Sequence, residues 1–107
     1  MSILDALIKA RDHISDPAMW YKGGYSEDGA EGAENGLPCC AMGALIWATQ
    51  DSRGYWVFPQ DALVSALPDG WTFVTAFNDD PNTTNTDILA LFDRAIAAER
   101  AKIGGAL

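Results

Sequence analysis

A chain of 107 residues with a formal charge of −8, about half hydrophobic and one fifth charged, has the composition of a single globular domain and lies far from the disordered range. Such a charge opposes a phosphate-binding surface, because duplex and single-strand recognition both draw their affinity from clustered Lys and Arg. Direct nucleic-acid binding is therefore excluded as an expectation, and a protein partner with a basic surface is the interaction that fits the charge. Glu27, Asp28, Glu31, Glu34 and Asp51 lie between Lys22 and Arg53 with no intervening cation.

The N-terminus MSILDALIKARDHI carries charges at helical spacing and lacks the basic start and cleavage site of a signal peptide. Ile3, Leu4, Leu7, Ile8 and Ile14 form one stripe at a period of 3.6, with Asp5, Lys9 and Asp12 opposite and Ser2 as the cap. Arg11 falls within the stripe, where its guanidinium must snorkel outward or meet a carboxylate. Asp79 is the first expected partner and Glu99 the second. Asp16-Pro17 predicts a short helical turn over residues 17–22, stopped by Gly23-Gly24.

Residues 23–36, GGYSEDGAEGAENG, are rich in glycine and acids without periodicity, and predict an acidic surface loop. Their acids do not match a calcium-loop pattern. Pro38 then opens LPCCAMGALIWA as a helix to about Thr49 or Gln50, apolar on nearly every side and hence the buried central element. Gly43-Ala44 would admit another helix backbone closely, and Asp51-Ser52-Arg53-Gly54 would end the helix. A brief extended piece over residues 55–58 and a helix over residues 60–67 follow, with Ala62, Leu63, Ala66 and Leu67 facing inward. WTFVTAF, residues 71–77, suits either a strand or a helical turn. Thr84 and Asp87 make a capping-box start for a final helix whose stripe is Ile88, Leu89, Phe92, Ala95, Ile96 and Ile103. These elements define a mainly α, helix-dominated fold of one domain around a buried central helix, with at most a short β-hairpin. The longest apolar run is too short to cross a bilayer, so a cytoplasmic location with reduced thiols is expected.

Four short blocks occur in order: WYKGGY at 20–25, CCAMGAL at 39–45, FND at 77–79 and TTNTDILALFDRAI at 83–96. Their order resembles an uncharacterised family of small bacterial and bacteriophage proteins carrying W-x-x-G-A, C-x-x-G-A, N-D and T-H-x-D-V-L-x-L-F-D-x-A-I. The resemblance implies that Cys40, Gly43 and Ala44 fill the second block and Asn78 and Asp79 the third. It brings no activity. Asn85 stands where many relatives have histidine, so a catalytic histidine at that position would be missing from this chain.

Two chemistries compete for the cysteines. A thiol in the first turn of a helix is acidified by the free N–H groups there. A set of Cys40 as nucleophile, His13 as base and Asn78 as orienter would then make a cysteine-dependent hydrolase or transferase. Against this, free cysteine is among the most buried residue types, and Cys40 lines up with Gly43, Ala44 and Trp47 as a framework residue. Packing is the favoured reading, with Cys39 the less constrained thiol. A vicinal disulfide conflicts with adjacent-residue geometry. Two thiols and one histidine make no zinc pattern. No cofactor or metal is called for, and Asn78-Asp79-Asp80-Pro81 suits an Asx turn better than a cation site. The function expected from these residues is a non-catalytic protein-interaction module, of phage or prophage origin, that inhibits a host protein.

Overall fold

The computed structural model describes residues 2–50 and 54–105. Six α-helices follow in chain order: α1 (Ile3–His13), α2 (Gly29–Glu34), α3 (Ala41–Ala48), α4 (Val57–Ala66), α5 (Val74–Asp79) and α6 (Asn85–Gly105). A 3-10 turn, Pro17–Met19, lies between α1 and α2. Among the described residues β-structure is confined to isolated bridges from Cys39 to Trp20 and Ser26, so the expected helix-dominated fold holds and the optional hairpin does not form. No helix among the described residues is long and apolar enough to cross a membrane.

α3 is the centre. Ala41, Met42, Gly43, Ala44, Leu45 and Ala48 are all buried, which an eight-residue helix apolar on every side requires. α1 and α2 pack on it directly, α5 sits against its start, and α6 lies along both α1 and α4. Leu7, Ile14, Leu45, Leu63, Ile88, Leu91 and Phe92 are the large side chains fully enclosed where these helices meet. Truncating one of them to alanine would cost about 2–5 kcal/mol through lost transfer energy and the cavity left behind.

The helix ends follow local chemistry. Ser2 Oγ accepts from Asp5 N at 3.0 Å and caps α1. At α6 the expected capping box is reciprocal: Asp87 N donates to Thr84 Oγ1 at 3.2 Å, and Thr84 N donates to Asp87 Oδ2 at 2.9 Å. Asp16 Oδ1 accepts from Ala18 N at 2.9 Å, but the following turn closes at Met19 rather than running to residue 22.

Several expectations are corrected. The acidic stretch 23–36 is not all loop: residues 29–34 form α2, with Gly32 and Ala33 buried against α3 and Leu37. Ser26 anchors its start, accepting from Asp28 N and donating to Gly29 O. A β-carbon at Gly32 would collide with the Ser26 hydroxyl, so glycine is required there by close approach. The central helix begins at Ala41 rather than at Pro38. Residues 74–79 resolve as helix because Val74, Phe77 and Asn78, at i, i+3 and i+4, are the buried ones, while Phe73 is left 66% exposed. No extended piece precedes α4, which starts at Val57 and buries Pro59 and Leu63. α6 outruns the core, so Ile103 is exposed despite lying on the stripe. Asp51-Ser52-Arg53, expected to end the central helix, lie outside the described residues.

Arg11 meets neither Asp79 nor Glu99. Its Nε donates to Asp93 Oδ1 at 2.6 Å, a pair at the α1–α6 margin whose side chains are 31% and 58% exposed. The buried stripe of α1 is Ala6, Leu7, Ala10 and Ile14, which leaves Arg11 at its edge. Glu99 is buried and takes Lys102 Nζ at 3.0 Å one turn on.

Candidate functional site

Asn78 is fully buried and uses its amide completely. Oδ1 accepts from Trp20 Nε1 at 2.7 Å and from Ala41 N at 3.1 Å, while Nδ2 donates to Tyr21 O and Asp79 Oδ1, both at 3.0 Å. Ala41 N is a first-turn amide of α3 with no intrahelical acceptor, so the carboxamide oxygen acts as a remote cap supplied by α5. Asp79 Oδ1 also accepts from Gly23 N at 3.0 Å, and Lys22 Nζ donates to Asp80 O at 2.8 Å. The C-terminal end of α5 is thereby tied to the whole 20–23 segment. Asp80 Oδ1 accepts from Asn82 N at 2.8 Å, the Asx turn expected for this stretch.

Cys39 is held between two segments. Its N–H donates to Met19 O at 2.9 Å and its carbonyl accepts from Tyr21 N at 3.0 Å; beside it Cys40 N donates to Tyr25 O at 3.1 Å. Cys40 is the residue preceding α3, in an extended conformation, and its Sγ accepts from Gly43 N at 3.3 Å. The thiol therefore takes the place a serine hydroxyl usually holds at a helix start. Gly43 is the close-approach glycine of the site: a β-carbon there would overlap the Tyr25 carbonyl and stand 2.8 Å from Cys39 Cβ. The segment it admits is a loop carbonyl and not the helix backbone expected from Gly43-Ala44.

Three of the four sequence blocks thus converge. Trp20 and Gly23 of the first, Cys40, Ala41 and Gly43 of the second, and Asn78 and Asp79 of the third meet around one buried carboxamide. Thr84 and Asp87 of the fourth start α6 a short turn later. Trp20, Gly23 and Tyr21 are the members that residue-by-residue reading missed. The signal for them was the recurrence of a Trp block and an Asn-Asp block in one order, since a buried asparagine needs donors and acceptors of fixed geometry.

The catalytic alternative is not assembled. His13 stacks on Trp47 with ring centroids 4.1 Å apart, two turns along α3 from Cys40, a rise of about 10 Å. Its Nε2 is buried without a hydrogen-bond partner, and Lys9 Nζ lies 5.0 Å from the same indole. Asn78 has no free group to orient a ring. Both thiols are essentially enclosed, at 0% and 1% exposure. Burial, with the neighbouring Cys40 adding to it, pushes the Cys39 thiol up to about 12. Burial also raises Cys40, against the lowering hydrogen bond from Gly43 and with a further push from the Asp79 charge. Neither thiol lies within the first turn of α3, and Cys39 is no freer than Cys40, which corrects both expectations. Among the described residues no group of three His, Cys, Asp or Glu side chains is placed to hold a metal ion. Asn85, where many relatives are expected to have histidine, donates from Nδ2 to the Ile14 carbonyl at 2.9 Å and so closes the C-terminal end of α1.

Two clefts open on this part of the surface. One of about 200 Å³ lies over Cys40, between Gly23-Gly24-Tyr25 and Thr75 and Asp79 of α5. The other, about 310 Å³, is bordered by Tyr25, Glu34, Ile46 and Trp56. Tyr25, 40% exposed, borders both, and the exposed acids Glu27, Asp28, Glu31 and Glu34 follow it in the chain.

Fold and site together define a small helical protein organised by a buried asparagine hub, with both thiols enclosed. The chain belongs to a family of unknown function, DUF6197, whose sequence profile matches residues 1–98. No curated protein and no solved structure matches it.

Proposed function

We propose that the protein is a non-catalytic binding module of the cytosol that docks by an acidic face on a basic surface of a protein partner, and that it serves a phage or prophage by inhibiting a host protein. The observation that carries this reading is the row Glu27, Asp28, Glu31 and Glu34. All four are exposed, and no salt bridge among the described residues reaches them. An uncompensated acidic face attracts a basic surface over a Debye length of about 8 Å at physiological salt and raises the rate of encounter. Basic protein surfaces commonly hold nucleic acid, and a compact acidic competitor for such a surface is an inhibitor. The phage setting follows from the four-block resemblance. Support for a non-catalytic role comes from the enclosed thiols and from His13 stacked on Trp47, away from Cys40.

The test is capture from host lysate by the immobilised protein, beside a variant with Glu27, Asp28, Glu31 and Glu34 all changed to lysine. One partner should be retained at low salt, released as salt rises, and lost with the variant. Capture of no partner, together with turnover of an acyl substrate that depends on Cys40, would overturn the reading.

A further inference from the structure

We propose that the cleft over Cys40 is an anchoring socket for a single lysine side chain projecting from the partner's basic surface, an inference that rests on the acidic-face reading above. The cleft is built for an alkyl chain ending in a cation. Cys40, 1% exposed, and Tyr25 are among its lining residues. These surfaces suit the methylenes of a long side chain. Thr75 and Asp79 supply the polar rim.

Asp79 sets the charge. Its Oδ1 accepts from Gly23 N and Asn78 Nδ2, which fixes the carboxylate; Oδ2 receives no hydrogen bond among the described residues. No cation of the described chain neutralises it either. Lys22, which neighbours Gly23 in the chain, is turned to the Asp80 carbonyl, with its Nζ 5.2 Å from the Trp20 ring centroid. A fixed carboxylate with one free oxygen beside a cleft lined by Cys40, Tyr25 and two glycines is complementary to an ammonium group. Arginine fits less well, since its advantage lies in gripping both carboxylate oxygens and Oδ1 is already taken. Tyr25 also borders the second cleft, which Glu34 lines, so a lysine seated here would place neighbouring basic residues of the partner near the acidic row.

The experiment follows backbone amide signals by NMR while tetralysine is titrated into the intact protein. Tetraarginine and the fully Nε-acetylated tetralysine serve as competitors of known chemistry. Gly23, Gly24 and Thr75 should shift saturably with tetralysine, less with tetraarginine and not with the acetylated peptide. Asp79→Asn keeps the Oδ1 acceptor that holds Gly23 and Asn78, so its fold should persist; it should weaken binding at these amides about fivefold, the upper end for an exposed ion pair. Thr75→Met, which narrows the cleft without touching charge, should abolish the same shifts. Shifts confined to residues 27–34 and unchanged in both variants would overturn the socket while leaving the acidic face intact. Equal binding of the acetylated peptide, or tighter binding of tetraarginine at the cleft, would overturn the choice of lysine. Absence of any shift on the protein would defeat both this proposal and the reading beneath it.

Discussion

Replacing Asn78 by alanine removes the oxygen that receives Trp20 Nε1 and Ala41 N and the amide that serves Tyr21 O. Ala41 is fully buried, so its N–H is left without water or protein partner, at about 1–3 kcal/mol. Trp20 and Tyr21 are half-buried and can be partly rehydrated, so they add about 0.5–1.5 kcal/mol each. The sum is about 2–6 kcal/mol, a large share of the 5–15 kcal/mol typical of a whole domain. With a urea slope of about 2 kcal/mol per molar, the midpoint should fall by about 1–3 M, read by far-UV circular dichroism. Asn78→Asp sharpens the test, since it keeps the acceptor oxygen but sets a buried carboxylate against Asp79 and the Tyr21 carbonyl. Its folded-state pKa is then raised above the unfolded value, so the folded state favours the protonated acid. The variant should regain stability relative to the parent as pH falls and lose it as pH rises. A midpoint for Asn78→Ala within about 0.3 M of the parent would refute the hub.

Gly43→Ala should lower stability by about 1–3 kcal/mol, because the new methyl overlaps the Tyr25 carbonyl and crowds Cys39; an unchanged urea midpoint would contradict the close approach. Native-state iodoacetamide labelling at neutral pH should be slow at both cysteines and should become fast only in denaturant; rapid labelling of Cys39 alone would restore it as the freer thiol. Because the Cys39 pKa rises from 9.0 to about 12, the folded state holds its proton longer than the unfolded chain, and stability should drop as pH climbs from about 9 toward 12. Arg11→Met should cost less than about 1 kcal/mol, since Asp93 is 58% exposed and rehydrates when its partner is removed. A loss above about 2 kcal/mol by thermal melting would mean that the pair is far less accessible to water than its exposure indicates.

The legibility of the chain varied with the range of the interactions. α1 and α6 were readable from their stripes and caps, and Thr84 with Asp87 from their spacing, because those interactions join residues within a turn or two. α2 was not. Two of its six residues are glycines and six residues are too few to hold a helix alone, so it is held by Ser26 and by packing on α3. The partner of Arg11 is illegible for a similar reason: the stripe of α1 fixes which face is buried, whereas the partner depends on where α6 lies along it. Asn78 and Asp79 stand out in the sequence as a turn motif, but their hydrogen bonds to Trp20, Tyr21 and Gly23 span more than fifty residues of sequence.

The sequence by itself determined the helical class, the buried character of LPCCAMGALIWA and the acidic balance, because periodicity, composition and charge are properties of short windows and of totals. Only the tertiary structure decided what surrounds the two cysteines. Seating Cys39 between residues 19–21 and 25–26 encloses both thiols, and stacking His13 on Trp47 keeps the sole imidazole away from Cys40. The physical reason is that thiol reactivity depends on solvation and on neighbours brought from distant parts of the chain, which no local pattern encodes.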